Sequence, residues 1–158
     1  MTENRAAASS DLLVTISNPR SPISEAYRTL RTNLQFISPD KPLQTLLVTS
    51  PGPEEGKSTM LANLAVTMAQ GEKRVILVDC DLRRPSLHRL FGLTHKKGFT
   101  TMMVDDKALN DPPLQETGVA GLQVLASGEL PPSPSDLLGS RRMDRVLAAL
   151  KERGHGAD

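Results

Sequence analysis

Ten residues near the middle of the chain, Ser-Pro-Gly-Pro-Glu-Glu-Gly-Lys-Ser-Thr at positions 50–59, constrain the fold more than any other feature. Their flanks differ in character. Before them, residues 43–49 read Leu-Gln-Thr-Leu-Leu-Val-Thr, a short apolar run of the kind that forms a parallel strand covered on both faces. After them, Leu61, Leu64, Ala65 and Met68 recur at helical spacing on one face, up to Gly71, which is placed to cap a helix C-terminus. A second apolar run, Val-Ile-Leu-Val, occupies positions 75–78. Strand, glycine-containing turn, helix and strand make a βαβ unit, whose crossover is expected to be right-handed.

The rest of the chain extends this pattern. Ser21 and Pro22 supply a cap and a pre-organised first helical residue, and Ile23, Tyr27, Leu30 and Leu34 follow as an apolar face, with Pro39 closing that helical region. A third strand is expected at Leu122–Leu125. A proline-rich stretch and a last helix carrying Met143, Val146, Leu147 and Leu150 come after it. The segment between about residues 94 and 117 carries no clear period. Alternating strands and helices predict an α/β doubly wound fold with a mainly parallel sheet of the phosphate-loop type. With 158 residues, one domain is the default. Residues 1–12 are expected to be a disordered polar lead-in and 13–158 the folded unit.

The loop carries the residue types that a nucleoside triphosphate requires: backbone N–H donors, a mobile cation and a hydroxyl able to reach Mg²⁺. Gly56 lets the backbone approach the phosphates. Lys57 is expected on the β and γ phosphates, Ser58 on Mg²⁺, and Gly52, Pro53, Glu54, Glu55 and Thr59 complete the candidate ATP contacts. The usual pattern places its first glycine five residues before Gly56, where this chain has Pro51; Gly52 lies one residue later, which marks a variant loop. The two glutamates are expected to point outward while their N–H groups face the ligand. A bare Gly-Lys-Ser turn would merely link strand to helix. Here a strand before, a helix after and an acidic strand end beyond favour the phosphate-binding reading.

The second strand ends in Asp79-Cys80-Asp81, where the period of two puts both carboxylates on one side and Cys80 on the other. Ligands of open α/β sheets lie beyond the carboxyl ends of the strands, so this pair is expected to converge on the phosphate loop. There the aspartates could hold Mg²⁺ or its waters, or accept a proton from an attacking hydroxyl. Solvated aspartates at a strand end are the plainer alternative. Cys80 is expected to be a small buried filler. Arg83 and Arg84 could neutralise a phosphoryl group or stay solvated, and His88, His95 and His155 are expected at the surface.

Nineteen basic against eighteen acidic residues leave no overall field to attract nucleic acid, and Lys96-Lys97 is too short to supply one locally. A single cysteine fits a reducing cytosol, and no stretch reaches the length of a membrane span. The expected location is therefore cytoplasmic.

With these motifs in hand, the chain resembles the cytoplasmic kinase domain of bacterial tyrosine kinases of capsular and exopolysaccharide synthesis. Thr-Ser-Pro-Gly-Pro-Glu-Glu-Gly-Lys-Ser-Thr resembles that family's Walker A loop. Val-Ile-Leu-Val-Asp-Cys-Asp-Leu-Arg-Arg-Pro resembles its second motif, called A-prime. Ser-Glu-Ala-Tyr-Arg-Thr-Leu-Arg-Thr-Asn resembles the family's helix of subunit association, matching Glu25, Arg28 and Arg31. On spacing alone, an intrahelical Glu25–Arg28 pair explains those residues as well. The resemblance runs from about residue 13 to 153 and implies autophosphorylating transfer from Mg·ATP to protein tyrosines, with Lys57, Asp79 and Asp81 catalytic. Either aspartate could be the base. It also implies self-association, a membrane-bound activator that recruits the domain to the inner membrane face, and a further strand with a Walker B aspartate and a tyrosine-rich tail, expected beyond residue 158. Two competing functions remain: an assembly-switch ATPase of the partition and septum-site type, disfavoured because Gly52 stands where those proteins carry a signature lysine, and a non-catalytic remnant that docks through the N-terminal helix.

Overall fold

The computed structural model describes residues 13–37, 54–82, 84–129 and 141–155, without the side chains of residues 54, 55, 154 and 155. The strand expected at 43–49 and the proline-rich stretch lie outside the described residues. A helical turn, α1 (Val14–Ser17), leads into α2 (Pro22–Ile37). Ser21 caps α2 as expected, its Oγ accepting from the Ser24 N–H at 3.1 Å, and Pro22 opens the helix. The face that α2 buries is rotated from the expected one. Ser24 is fully buried and donates to the carbonyls of Val14 and Asn18, while Tyr27, Arg31 and Leu34 are half-buried. Ile23 and Leu30, expected on the packed face, are exposed. The reason is polar: the seam against α1 is organised by the Ser24 hydroxyl rather than by aliphatic contacts.

α3 (Glu54–Gln70) is the phosphate-loop helix. It starts two residues before Gly56, and it is not one-sided: every residue from Ala62 to Thr67 is buried. A helix covered on all sides has no reason to be amphipathic. The chain turns out of α3 with Glu72, not Gly71, in the left-handed region, at φ 65°. Gly71 serves a different need. A Cβ there would lie 3.0 Å from Nη1 of Arg31, whose guanidinium donates to the Thr67 carbonyl at 2.7 Å.

β1 (Val75–Val78) follows, then α4 (Leu87–Leu90), α5 (Phe99–Val104), α6 (Asp106–Asn110), β2 (Gln115–Glu116), β3 (Leu122–Leu125) and α7 (Arg141–His155). β1 pairs parallel to β3 with Val75 opposite Leu122, and β2 adds a short antiparallel edge, giving the order β1-β3-β2. The pleat splits the core. Val75 and Leu77 point with Leu122 and Val124 toward α3, whereas Ile76 and Val78 join Leu125 against Phe99, Met102, Val146 and Leu150. The sheet thus lies between two apolar layers, and the first sets α3 beside the carboxyl end of β1. The region without a clear period holds α5, α6 and β2, elements too short to show one. Among the described residues, no helix is long and apolar enough to cross a membrane.

Candidate nucleotide site

The site is built where the first turns of α3 meet the chain leaving β1. Gly56 is exposed, and a Cβ built on it meets nothing within 4 Å among the described residues. Lys57 and Thr59 are half-buried, and Ser58 is buried. Gly52, Pro53 and the side chains of Glu54 and Glu55 lie outside the described residues, as does Arg83.

Asp79 is the deepest acidic group among the described residues, 3% exposed. Its Oδ1 accepts from the Asp81 N–H at 3.0 Å, and its Oδ2 from the N–H groups of Ser86 and Leu87 at 3.1 and 3.2 Å. Burial raises the carboxyl's pKa, with Asp81 adding to the rise, while the three backbone donors oppose it. Asp81 is half-buried, and its Oδ1 accepts from the Arg84 N–H at 3.1 Å. β1 ends at Val78, so both aspartates lie just past the strand. Cys80 packs with Ile76 and Val78 while Asp79 meets Leu87 of the other layer, so these two face opposite ways as expected, and Asp79 and Asp81 differ in depth and in partners. Cys80 is half-buried as expected of a filler, and burial beside Asp79 pushes its thiol up to about 11, far from a nucleophile's range.

One link was not foreseen in the sequence. Ser86 Oγ donates to Ser58 Oγ at 2.7 Å while its own N–H holds Asp79, so a single residue joins the loop serine to the acidic motif. A serine after Arg-Arg-Pro carries no periodic or compositional signal. The second unforeseen residue is Asn63, 1% exposed, whose Oδ1 accepts from both the N–H and the hydroxyl of Thr15, at 3.2 and 2.8 Å. Its Nδ2 donates to the Thr59 carbonyl at 2.9 Å. A lone amide among apolar helix positions was the available clue.

His88 corrects an expectation. It is 8% exposed, its ring lies 4.6 Å from that of exposed His95, and its Nδ1 has no hydrogen-bond partner among the described residues. Burial, with His95 and Arg89 nearby, lowers its pKa. Of the N-terminal candidates, Arg28 pairs with Glu25 at 2.6 Å and also donates to the Pro19 carbonyl, while Arg31 is committed to α3. A cleft of about 290 Å³ between Arg74, Glu116 and Arg153 lies at the opposite end of β1 and contains none of the candidate site residues.

Residues 46–154 match the model of the CobQ/CobB/MinD/ParA nucleotide binding domain, more than half of the chain. The chain belongs to that family. It is a nucleotide-binding domain of the phosphate-loop class, and the doubly wound architecture expected from the sequence is the family's. The domain is 39% identical to the tyrosine-protein kinase YwqD of Bacillus subtilis over 91% of its length, and 35% identical to the putative tyrosine-protein kinase CapB of Staphylococcus aureus over 84%. It spans 60% and 58% of those two proteins. Its fold matches the crystal structure of the chimerical protein CapA2B2 with a TM-score of 0.82 at 36% identity, covering 90% of this chain and 62% of that one. It also matches the kinase domain of the Escherichia coli tyrosine kinase ETK, with a TM-score of 0.79 at 30% identity, covering 90% and 55%.

Proposed function

We propose that this domain is the nucleotide-binding part of a protein-tyrosine kinase that moves the γ-phosphoryl group of Mg·ATP to a tyrosine hydroxyl. The observation that carries this reading is the convergence of Ser58 with Asp79 through Ser86 beside the exposed Gly56. Such a site works mainly by positioning and by stabilising charge. Lys57 binds the phosphates, and the α3 N–H groups add their dipole.

The donor set fits Mg²⁺. One serine hydroxyl and nearby carboxylates suit a cation that keeps several of its waters, and no cluster of three or more His, Cys, Asp or Glu among the described residues offers a full protein cage. When bound, the cation neutralises charge on the phosphates. Asp79 spends three of a carboxylate's roughly four acceptor sites on backbone donors, leaving about one for a water or a proton. One of Asp79 and Asp81 would help to hold the metal, and the other accepts the phenolic proton.

The physiological setting of this proposal rests on the resemblance of the two Walker motifs and the N-terminal helix to those of the bacterial tyrosine kinases. Tyrosine residues of the protein's own copies and of other proteins are its substrates, polysaccharide synthesis is the process it regulates, and a membrane-bound activator recruits it to the cytoplasmic face. Self-association uses Glu25, Arg28 and Arg31 on α2, and requires Arg31 to leave the Thr67 carbonyl. Transfer of label from γ-labelled ATP to a tyrosine-rich peptide tests the kinase reading. Wild type labels the peptide, and Lys57→Met loses at least about tenfold of that rate. Absence of Lys57-dependent phosphotyrosine rules the reading out, and slow hydrolysis coupled to dimerisation in its place favours an assembly switch.

A further inference from the structure

Ser86 occupies a place in this site that none of the motifs describes. It stands immediately before α4, half-buried, and both of its polar groups on this side are used. The N–H is fixed by Asp79 Oδ2, and the hydroxyl donates to Ser58 Oγ at 2.7 Å. Asp79 in turn is held by three N–H groups and buried to 3%, so it is a rigid point of attachment. The chain of contacts runs Asp79, Ser86, Ser58, and it joins the end of β1 to the first turn of α3 across 28 residues of sequence.

A serine hydroxyl has one proton and two lone pairs. Whichever of the two hydroxyls donates, the bond between Ser86 and Ser58 leaves Ser58 at least one lone pair for a cation. Without that bond, the Ser58 side chain can rotate among its staggered wells, and the lone pair loses its fixed direction. We propose that Ser86 is a positioning residue, whose hydroxyl orients Ser58 as a Mg²⁺ ligand and couples the phosphate loop to the acidic motif. This rests on the reading of Ser58 as the metal-binding hydroxyl.

The test compares wild type, Ser86→Ala and Ser86→Thr by titrating a fluorescent ADP analogue onto the intact chain, with Mg²⁺ varied at fixed nucleotide and again in excess chelator. Ser86→Ala removes one oxygen and leaves the N–H on Asp79. The Mg²⁺ concentration for half-maximal tightening rises about fivefold in Ser86→Ala, the size of one neutral hydrogen bond. Affinity in chelator stays unchanged, and Ser86→Thr, which keeps the hydroxyl, restores the wild-type Mg²⁺ dependence. A merely structural role would weaken binding equally with and without Mg²⁺, and that outcome overturns the proposal. So does an unaltered Mg²⁺ midpoint in a Ser86→Ala protein that melts like wild type. Should Ser86→Ala fail to fold, a wild-type midpoint in Ser86→Gly, or a shifted one in Ser86→Thr, overturns it as well. If wild type itself binds nucleotide without any Mg²⁺ effect, the metal-site reading fails together with the proposal, which separates the two failures.

Discussion

α2 and α3 have 16 and 17 residues and lie against each other, yet they obey opposite rules. α2 has apolar residues at helical spacing and leaves Ile23, Phe36 and Ile37 59–73% exposed. α3 has almost no sidedness and buries Ser58, Asn63 and Thr67 to 9% or less. The difference lies in the surroundings. α3 is wedged among α1, α2, α4 and the sheet, so every side chain from Ala62 to Thr67 is buried and each buried polar group must find a partner. Among the described residues, α2 packs chiefly on α1 and α3. The helix that bears the candidate phosphate-binding residues is enclosed along its middle, and the helix proposed for self-association leaves much of its surface exposed. The contrast suits the tasks proposed for them, because binding needs fixed geometry and docking needs a surface.

The largest expected effect is at Asn63. Asn63→Ala strands the Thr15 N–H and hydroxyl in the interior and frees the Thr59 carbonyl, which is expected to cost about 2–4 kcal/mol in denaturant unfolding. A loss below about 1 kcal/mol would show that α3 is not held by its polar contacts, and the contrast with α2 would collapse. Next is the seam between the helices. Gly71→Ala places a methyl 3.0 Å from the Arg31 guanidinium and displaces it from the Thr67 carbonyl, for about 1 kcal/mol of stability; Arg31→Ala combined with Gly71→Ala should then cost little more than either alone.

The third concerns the α4 flank of α3. His88 has a lowered pKa in the folded chain, so its contribution to stability is full above the ordinary histidine value of about 6.5 and is lost as pH falls through the lower folded value. Melting measured from pH 8 downward is expected to show this decline in wild type and a flatter profile in His88→Gln. The smallest effect is on the outer face of α2: Phe36→Ser, at a position 73% exposed, should change stability by no more than about 0.5 kcal/mol. A loss well above 1 kcal/mol there would mean that α2 packs against more than one seam.

Much of the candidate site was legible because phosphate binding demands particular residue types in a particular order. Lys57, Ser58, Asp79 and Asp81 could be named from strand, turn and helix signals, and the third strand at Leu122–Leu125 lies where its apolar run predicted. The errors share one cause. The face of α2, the sidedness of α3 and the placement of His88 were inferred from local period or from the absence of ligand-like spacing, and each was decided by what packs next to it. The different depths of Asp79 and Asp81 were not legible for a related reason: a buried carboxylate takes whatever donors the next loop offers, and three were within reach.

What the sequence determined by itself was the chemistry on offer and the class of fold, since turn residues, capping signals and apolar runs act over a few positions along the chain. Only the tertiary structure decided which polar groups meet. Ser86 reaches Ser58 across 28 residues, Asn63 reaches Thr15 across 48, and Arg31 reaches Thr67 across 36. Those contacts exist because burial leaves a polar atom no water to fall back on, and that requirement binds partners which no spacing along the chain brings together.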